Sequence, residues 1–392
     1  LYAFTLSFEA LDLFNTNGIL SISRIAAVFY LFSLFLSYRV FFKLKKLVFY
    51  YVWPVILLFI LITLNSIANA NVMFSNFFDI AFFLNVIMFY MLICHGLRDP
   101  RAFYSSMLFF SIGATLAAIL MVADIGTALS QDGRITVFGT NPNELGLKLA
   151  TAFCILFNFY YSSIFKFKYS RLLLIIALPI LLISIIQTGS RSALLSLIAS
   201  VLLIVITMKG KKFSTILLVY GAITAFVFYG VNLVISSDLT LDRITKLAEI
   251  GSATIGSGTV QLQGPLGGRI QIWITYIALA QEHWVFGLGK TGFEYQVTLL
   301  TGRAMSAHNV ILEVLLYSGI TGLTIYLLFL SRLIKAGWQC FKITNNTMPL
   351  LIMPPIFIMI LANQALNVKF SWFLMAFIVI SYLLSYRQKI SQ

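Results

Sequence analysis

The sequence predicts an all-α integral membrane protein, a polytopic bundle of about 11–12 transmembrane helices with one long external loop that contains an amphipathic helix. Of its 392 residues, 60% are hydrophobic and 10% are charged, whereas roughly 25% of residues are charged in an ordinary soluble domain. The apolar residues form runs of about 17–25, the length that crosses a hydrocarbon core as a helix. These runs are apolar on every face, unlike the alternating strands of a β-barrel. Membrane lipids are therefore expected to surround the chain.

The apolar runs place the predicted spans along the chain, with boundaries accurate to a few residues. We expect spans at 19–38, 47–64, 78–97, 102–122, 145–164, 172–187, 192–208, 213–235, 308–331, 348–366 and 370–386. An earlier apolar stretch, 1–14, is shorter, and we interpret it as the end of a longer helix because the chain starts at Leu1. Residues 1–392 would then form a single transmembrane domain.

The polar connections between spans alternate in charge, which predicts their orientation. One kind of connection carries clusters of lysine and arginine, and the positive-inside rule places it in the cytoplasm. Asp99 is the only carboxylate on that side, so the other acidic residues fall at the external face or in helix ends near it. Because these topology signals account for the net charge of +14, we expect no nucleic-acid partner.

This orientation leaves one long external segment, residues 236–307, between two spans. Its first part, 251–268, is rich in Gly, Ser, Thr and Gln and is expected to be mobile. Apolar residues then recur at helical spacing within 269–283, which predicts an interfacial amphipathic helix. They are Ile270, Trp273, Ile274, Ile277 and Ala278.

His308 begins a predicted span at the external interface, followed by Asn309 and, after nine further residues, by Gly319 and Gly322. The structural explanation is an interfacial histidine with small residues that let helices approach closely. The functional explanation is that His308, Asn309 and Glu313 contact a substrate. Glu313 lies about 140° round the helix from His308, so we expect it to partner an arginine rather than the histidine.

Two arginines lie on the same side as His308, each after glycine or serine. Arg191 begins a span, and Arg269 begins the amphipathic helix. A guanidinium is always charged and matches phosphate oxygens in a bidentate way, so two of them suit a diphosphate. The alternative for Arg269 is a side chain that reaches the lipid headgroups. For Arg191 that alternative is weaker, because a charge beside an apolar run is costly unless it is paired or functional.

A strong turn signal lies in the segment 134–147, where Gly139, Asn141, Pro142 and Asn143 precede a predicted helix. Helix capping by Asn143 and the helix dipole acting on Glu144 are sufficient structural explanations. A sugar-binding role for Asn143 is the functional alternative.

Familiar cofactor and metal motifs do not occur in the sequence. It has no P-loop, no dinucleotide-binding glycine fingerprint and no HExxH, and its three cysteines, Cys94, Cys154 and Cys340, lack CxxC spacing. We therefore expect no metal ligand and no cofactor, and neither an ATP-driven pump nor a metal hydrolase.

Five short motifs follow one another along residues 133–322. They are FGTNPNELG (138–146), TGSRSALL (188–195), GGRIQIW (267–273), FGLGKTGF (286–293), and HN with the nine-residue gap to Gly319 and Gly322. In this order they resemble the O-antigen ligase and O-antigen polymerase superfamily of bacterial inner-membrane proteins. The general topology extends the resemblance to nearly the whole chain.

The resemblance implies a metal-independent glycosyl transfer at the periplasmic face of the inner membrane. A glycan on undecaprenyl diphosphate is passed to lipid A–core by the ligases, or to another lipid-linked repeat unit by the polymerases. Carried over by matching motif, Arg191 and Arg269 would bind the donor diphosphate and stabilise its developing charge. His308 would take the proton from the acceptor hydroxyl.

Two alternatives stay open at this point. The spacing of HN and the two glycines favours a ligase over a polymerase of the same superfamily. A secondary transporter is the alternative from another class, because transporters also have about a dozen helices with breaks and buried charges. The predicted spans carry almost no charge at mid-membrane and show no inverted repeat, which favours the transferase.

Overall fold

The fold is known from a computed structural model of the chain. It describes residues 1–12, 14, 16, 20–37, 46–69, 79–129, 134–161, 170–207, 267–301, 306–363 and 365–391. The predicted span at 213–235 and the predicted mobile stretch up to residue 266 lie outside the described residues.

The described part of the chain is almost entirely helical, which confirms the predicted all-α polytopic membrane fold. In chain order the helices are α1 (Tyr2–Thr5), α2 (Ile22–Leu36), α3 (Lys46–Ala68), α4 (Ile80–Arg98), α5 (Pro100–Val122), α6 (Pro142–Tyr161), α7 (Ser170–Gln187), α8 (Arg191–Thr207), α9 (Gly267–Glu282), α10 (Gly289–Thr301), α11 (Val310–Thr344), α12 (Met348–Leu351), α13 (Met353–Ala362) and α14 (Lys369–Ser391). Among these described helices, five are long and apolar enough to cross a membrane, namely α3, α4, α5, α11 and α14.

The helices differ from the predicted apolar elements in several places. α11 continues to Thr344, well past the predicted end at 331. The predicted span at 348–366 is divided into α12 and α13, and each has proline in its first turn, where no intrahelical N–H bond is lost. The apolar stretch at the start of the chain forms α1 and a 3₁₀ turn at Leu6–Phe8 instead of one helix.

A small antiparallel hairpin precedes α6. β1 (Thr127–Leu129) pairs with β2 (Ile135–Val137), with Thr127 opposite Val137. Phe138 and Gly139 follow in the left-handed region, with φ of 52° and 71°. The hairpin and this turn set the point at which the chain enters α6.

The chain divides into two compact units. The first comprises Leu1–Ile56, Ile80–Lys212 and Leu328–Gln392, and the second comprises Leu57–Asp79 and Phe213–Leu327. The single transmembrane domain over residues 1–392, the external loop at 236–307 and the motif region at 133–322 stay predictions.

The core of the first unit is built around aromatic side chains. Trp372 of α14 is 1% exposed and packs against Phe82, Phe89 and Phe329, with ring centroids 5.6–6.3 Å apart. Its indole N–H donates to the carbonyl of Leu366 at 2.8 Å. Because lipid tails are as apolar as these rings, the close packing itself, rather than removal from water, holds the helices together.

The core of the second unit joins α9, α10 and the first part of α11. Tyr276, Phe293 and Leu316 are buried there together. α9 matches the helix predicted at 269–283, but its buried side is formed by Tyr276 and its neighbours, whereas Ile274 and Ile277 are 60% and 49% exposed. The location of these isoleucines in the membrane interface stays a prediction.

A buried network of ion pairs connects Glu9, near the start of the chain, to α6 and α14. Lys148 of α6 has a fully buried side chain and contacts Glu9 at 3.1 Å and Glu144 at 2.5 Å. Lys369 of α14 contacts the other oxygen of Glu9 at 3.1 Å. Burial alone would raise the pKa of Glu9, but the two lysines outweigh it and lower this pKa to about 2. Glu144 thus has an ion-pair partner in addition to the helix dipole.

The Glu9→Gln substitution should lower the free energy of unfolding at pH 7 by roughly 3 kcal/mol, because it removes one of the two carboxylates beside the buried Lys148 and the carboxylate that contacts Lys369. Glu9 has a folded-state pKa of about 2, below its ordinary value of 4.5. Its contribution is therefore complete above pH 4.5 and is lost as the pH falls towards 2. Thermal unfolding in detergent as a function of pH measures this, with the exposed Glu282→Gln as the matched control. Equal melting of Glu9→Gln and the parent at pH 7 would contradict it.

Candidate active site

A tight turn places His308 just before α11. The residue has φ of 49°, a left-handed conformation that side chains other than glycine adopt rarely. α11 begins at Val310, and the side-chain oxygen of Asn309 accepts the N–H of Leu312 at 3.2 Å. Asn309 therefore caps α11, and His308 lies in the turn rather than on the helix itself.

The hydroxyl of Ser306 holds this turn together. It accepts the backbone N–H of His308 at 3.0 Å and donates to Oε1 of Glu313 at 2.5 Å. The carboxylate of Glu313 also accepts a backbone hydrogen bond from Ala307, and the residue is 3% exposed. Glu313 and His308 are thus linked through Ser306, which had no distinguishing signal in the sequence.

Helix α9 is attached to the same turn through Trp273. The indole N–H donates to the carbonyl of Ala307 at 2.8 Å. Arg269 precedes Trp273 by four residues and so lies on the same face of α9. The described part of the chain includes the backbone of Arg269 but not its side chain. The second unit therefore brings the helix that carries Arg269 to the turn that carries His308.

A second polar group lies near Glu313 in the same unit. Lys290, at the start of α10, forms an ion pair with Asp79 at 2.9 Å, and its backbone N–H donates to the hydroxyl of Ser66 at 2.8 Å. One turn later, burial raises the pKa of Glu294, an effect that Lys290 opposes and Asp79 reinforces. Carboxylates can accept hydrogen bonds from sugar hydroxyls, and the neighbouring ammonium can donate to them. Apart from the motif FGLGKTGF, which includes Lys290, these residues carry no distinguishing signal in the sequence.

Helix α11 is broken at Gly319, inside the predicted span at 308–331. Gly319 has φ of 61° and ψ of −164°, far from helical values. The segment 284–288 supplies hydrogen-bond partners at the break: Leu288 donates to the carbonyl of Leu316 at 2.8 Å, and Ile320 donates to the carbonyl of Trp284 at 2.7 Å. A helix can be interrupted at membrane depth when neighbouring protein satisfies its backbone in this way.

The glycines of two motifs meet at this break. A Cβ added to Gly319 would lie 2.2 Å from the carbonyl oxygen of Val285, and one added to Gly287 would lie 2.6 Å from the backbone nitrogen of Gly319. Neither position has room for a side chain, and both have positive φ. The backbone of the FGLGKTGF motif therefore contacts the backbone at Gly319 directly. This approach is closer than the packing of two helices that the sequence predicted.

In the first unit, the motifs at 138–146 and 188–195 pack against each other. A Cβ on Gly146 of α6 would lie 2.8 Å from Cβ of Ser190 and 3.0 Å from the hydroxyl of Thr188. The turn between α7 and α8 includes Gly189, with φ of 58°. Arg191 follows as the first residue of α8, and its side chain is exposed. An exposed guanidinium at a helix start is accessible to an anion.

Arg134 connects these two motifs and was not selected from the sequence. One of its guanidinium nitrogens donates to the side-chain oxygen of Asn143 at 3.0 Å. Its side chain also lies against Gly189, where an added Cβ would come within 3.2 Å of it. α6 begins at Pro142, and the side-chain oxygen of Asn141 accepts the N–H of Asn143 at 2.9 Å. The helix cap is therefore Asn141 and not Asn143 as predicted, because Pro142 occupies the first helical position.

Comparison with known protein families identifies the region that carries most of these features. Residues 172–327 match the sequence model of the O-antigen ligase family. The predicted resemblance to the O-antigen ligase and polymerase superfamily is confirmed. A search of curated proteins found no match to the chain.

The O-antigen ligase match contains the Arg191 turn, α9, the His308 turn and the break at Gly319. The family indicates a function of the O-antigen ligase or polymerase type. Of the residues selected from the sequence, Arg269, His308, Asn309 and Glu313 belong to the second unit. Arg191 and Asn143 belong to the first unit, where their motifs are in contact.

The Gly319→Ala substitution should destabilise the protein by roughly 2–4 kcal/mol, because it adds a clash to a left-handed backbone. Gly139→Ala is the matched control, because Gly139 also has a positive φ, of 71°, but nothing lies within 4 Å of an added Cβ. Only about 1–2 kcal/mol of backbone strain is therefore expected for this variant. Thermal unfolding of the purified variants in detergent compares the two. Similar losses for both glycines would show that the contact with Val285 is unimportant.

Proposed function

We propose that the protein is a glycosyltransferase of the bacterial inner membrane. It moves a glycan from undecaprenyl diphosphate to an acceptor at the periplasmic face, with lipid A–core as the acceptor of a ligase. The observation that carries the proposal is the hydrogen bond from Trp273 to Ala307, which joins the helix of Arg269 to the turn of His308. Both elements lie within the part of the chain that matches the O-antigen ligase family.

In the proposed reaction, His308 acts as the general base. A neutral imidazole has a reference pKa near 6.5 and accepts a proton readily near neutral pH. It removes the proton of an acceptor hydroxyl while that oxygen forms a bond to the anomeric carbon of the donor sugar. The bond from that carbon to the diphosphate breaks, and its electron pair stays on the diphosphate oxygen. The imidazolium then releases its proton to water.

The two arginines are proposed to bind the diphosphate. Negative charge grows on this group as the glycosidic bond breaks, so fixed cations stabilise the transition state more than the ground state. Arg191 is exposed at the start of α8, and Arg269 lies in the first turn of α9. At the start of each helix, the first backbone N–H groups have no acceptor within the helix, which favours a bound anion.

Asn143 and Asn309 are proposed to contact sugar hydroxyls. The side-chain oxygen of each accepts a hydrogen bond within the protein, from Arg134 and from Leu312 respectively. The amide nitrogens are the donors that we propose for the glycan. Glu313 was selected from the sequence for the same purpose, but its burial favours a supporting role beside His308.

Charge distribution supports a periplasmic site. The basic connections between spans are predicted to be cytoplasmic, whereas the carboxylates other than Asp99 fall towards the opposite side. The connections that are predicted to be external contain or adjoin Arg191, Arg269 and His308. A lipid-linked glycan that has been flipped outward would meet these residues there.

The His308→Ala substitution should abolish glycan transfer, because it removes the group that is proposed to take the acceptor proton. The measurement is complementation of a deletion strain, followed by gel analysis of its lipopolysaccharide. The matched control is His283→Ala, which changes a histidine of the same unit outside the proposed site and should restore the parent ladder. A full-length ladder with His308→Ala would refute the proposed base.

The same gel separates the two members of the superfamily. A deletion strain that lacks all long chains on the core indicates a ligase with lipid A–core as its acceptor. A deletion strain whose core carries one repeat unit indicates a polymerase, whose acceptor is another lipid-linked unit. The spacing of His308 and Gly319 favours the first result.

The Arg191→Lys substitution should reduce transfer by roughly 10- to 100-fold, because an ammonium is a point charge and cannot replace the planar fork of donors. Arg24→Lys is the matched control, since Arg24 is also exposed near the start of a helix. Quantified ladders at equal membrane expression provide the measurement. Parent-level transfer with Arg191→Lys would exclude bidentate recognition by this residue.

A further inference from the structure

We propose that Ser306 is a positioning residue, and that its hydroxyl, held by Glu313, fixes the backbone at His308 so that the imidazole meets the acceptor hydroxyl. The inference rests on the proposed role of His308 as general base. It extends that role to residues that do not themselves touch the substrate. We call Trp273, Ser306, Ala307 and Glu313 the histidine frame.

The backbone at His308 needs an external restraint. A residue with a side chain is strained in the left-handed conformation, and such conformations persist where the surrounding structure enforces them. His308 has φ of 49°. The N–H of His308 donates to the Ser306 hydroxyl at 3.0 Å, which restrains the rotation that would relieve this strain.

Glu313 sets the direction of the Ser306 hydroxyl. A hydroxyl has one proton to donate and lone pairs to accept with. Because Ser306 donates its proton to Glu313 at 2.5 Å, the lone pairs remain for the N–H of His308. Glu313 is itself held in the first turn of α11, where its backbone N–H donates to the carbonyl of Asn309 at 2.9 Å. α11 therefore holds Glu313, Glu313 orients the hydroxyl of Ser306, and this hydroxyl restrains the backbone of His308.

The peptide groups on either side of Ala307 are also fixed, from two helices. The backbone of Ala307 hydrogen-bonds the Glu313 carboxylate of α11, and its carbonyl accepts the indole N–H of Trp273 of α9 at 2.8 Å. Ala307 is 1% exposed, so these bonds are shielded from solvent. His308 thus follows a residue that cannot rotate independently of either helix.

A rigid histidine has a kinetic consequence that general stabilisation does not have. Proton transfer requires the base within hydrogen-bond reach of the acceptor, and a displacement of about 1 Å can reduce the rate roughly 100-fold. Displacement of the imidazole lowers kcat, whereas substrate binding is largely retained. A residue that only stabilises the fold would lower the amount of active enzyme and leave both constants of the folded fraction unchanged.

The test uses the full-length protein in nanodiscs that contain lipid A–core and the lipid-linked glycan extracted from the deletion strain. The variants are Ser306→Ala, which removes the hydroxyl, Ser306→Thr, which retains it, and Trp273→Phe, which removes the indole N–H and keeps an aromatic ring. Ser331→Ala is the matched control, since Ser331 lies on α11 and bonds only to its own helix at Leu328 among the contacts of the described residues. Size-exclusion chromatography and thermal unfolding quantify the folded fraction of each.

We expect Ser306→Ala to lower kcat by roughly 10- to 100-fold, with KM for either substrate changed by less than about twofold. Ser306→Thr should recover most of this loss, and Trp273→Phe should lower kcat in the same sense. A kcat of Ser306→Ala within about twofold of the parent overturns the inference, as does a rise in KM that accounts for the whole effect. If Ser306→Ala does not fold, Trp273→Phe decides the question: a lower kcat with an unchanged KM supports the frame, and a kcat within about twofold of the parent overturns it.

The His308→Ala variant in the same nanodiscs separates this inference from the proposed function. Transfer by His308→Ala would refute the base and the frame together. Loss of transfer by His308→Ala with full activity of Ser306→Ala would leave the proposed function intact and refute the frame alone.

Discussion

Hydrocarbon offers no hydrogen-bond partner to a peptide group, and this constraint governs how an interrupted helix can exist in this protein. α11 stops being helical at Gly319, which frees backbone groups on both sides of the break. The segment 284–288 returns to the helix and pairs with them through its own backbone. The amide of Asn65 adds a bond to the carbonyl of Tyr317 at 3.3 Å. The break and the returning segment are therefore two parts of one structure.

The candidate active site of the second unit depends on this arrangement. The returning segment lies between the end of α9 at Glu282 and the start of α10 at Gly289. The break thus holds the segment that directly follows α9, the helix whose Trp273 contacts Ala307. The apolar core around Tyr276 and Phe293 keeps α9 and α10 together, with ring centroids 5.0 Å apart. Packing and backbone pairing thus hold in place the elements that carry His308 and Arg269.

Within the described residues, the sequence predicted most of the helices, because the length of an apolar run is a direct physical requirement of the bilayer. It also selected His308, Arg191 and Arg269, whose motifs carry the resemblance to the O-antigen ligase superfamily that residues 172–327 confirm. The glycines after HN indicated close packing, but periodicity cannot show that Gly319 leaves the helix, since this depends on a partner segment about 30 residues earlier along the chain.

Other parts of the site could not be predicted, because they act through tertiary contacts. Ser306 is one serine among many, and its importance comes from lying between His308 and Glu313. Lys148 lies within an apolar run, and its partner Glu9 is 139 residues away in sequence. Asn141 rather than Asn143 caps α6, because the proline between them fixes the first helical position. Each of these depends on which residues meet in space.

The left-handed backbone at residue 308 also bears on how this position evolves. Glycine would relieve the strain there, because it has no Cβ. Drift without selection would therefore tend to replace the histidine by glycine. A histidine at φ of 49° is the more costly choice for folding. Among descendants of this chain, a change at 308 to glycine with the histidine frame intact would mark a lineage that has kept the fold and lost the chemistry.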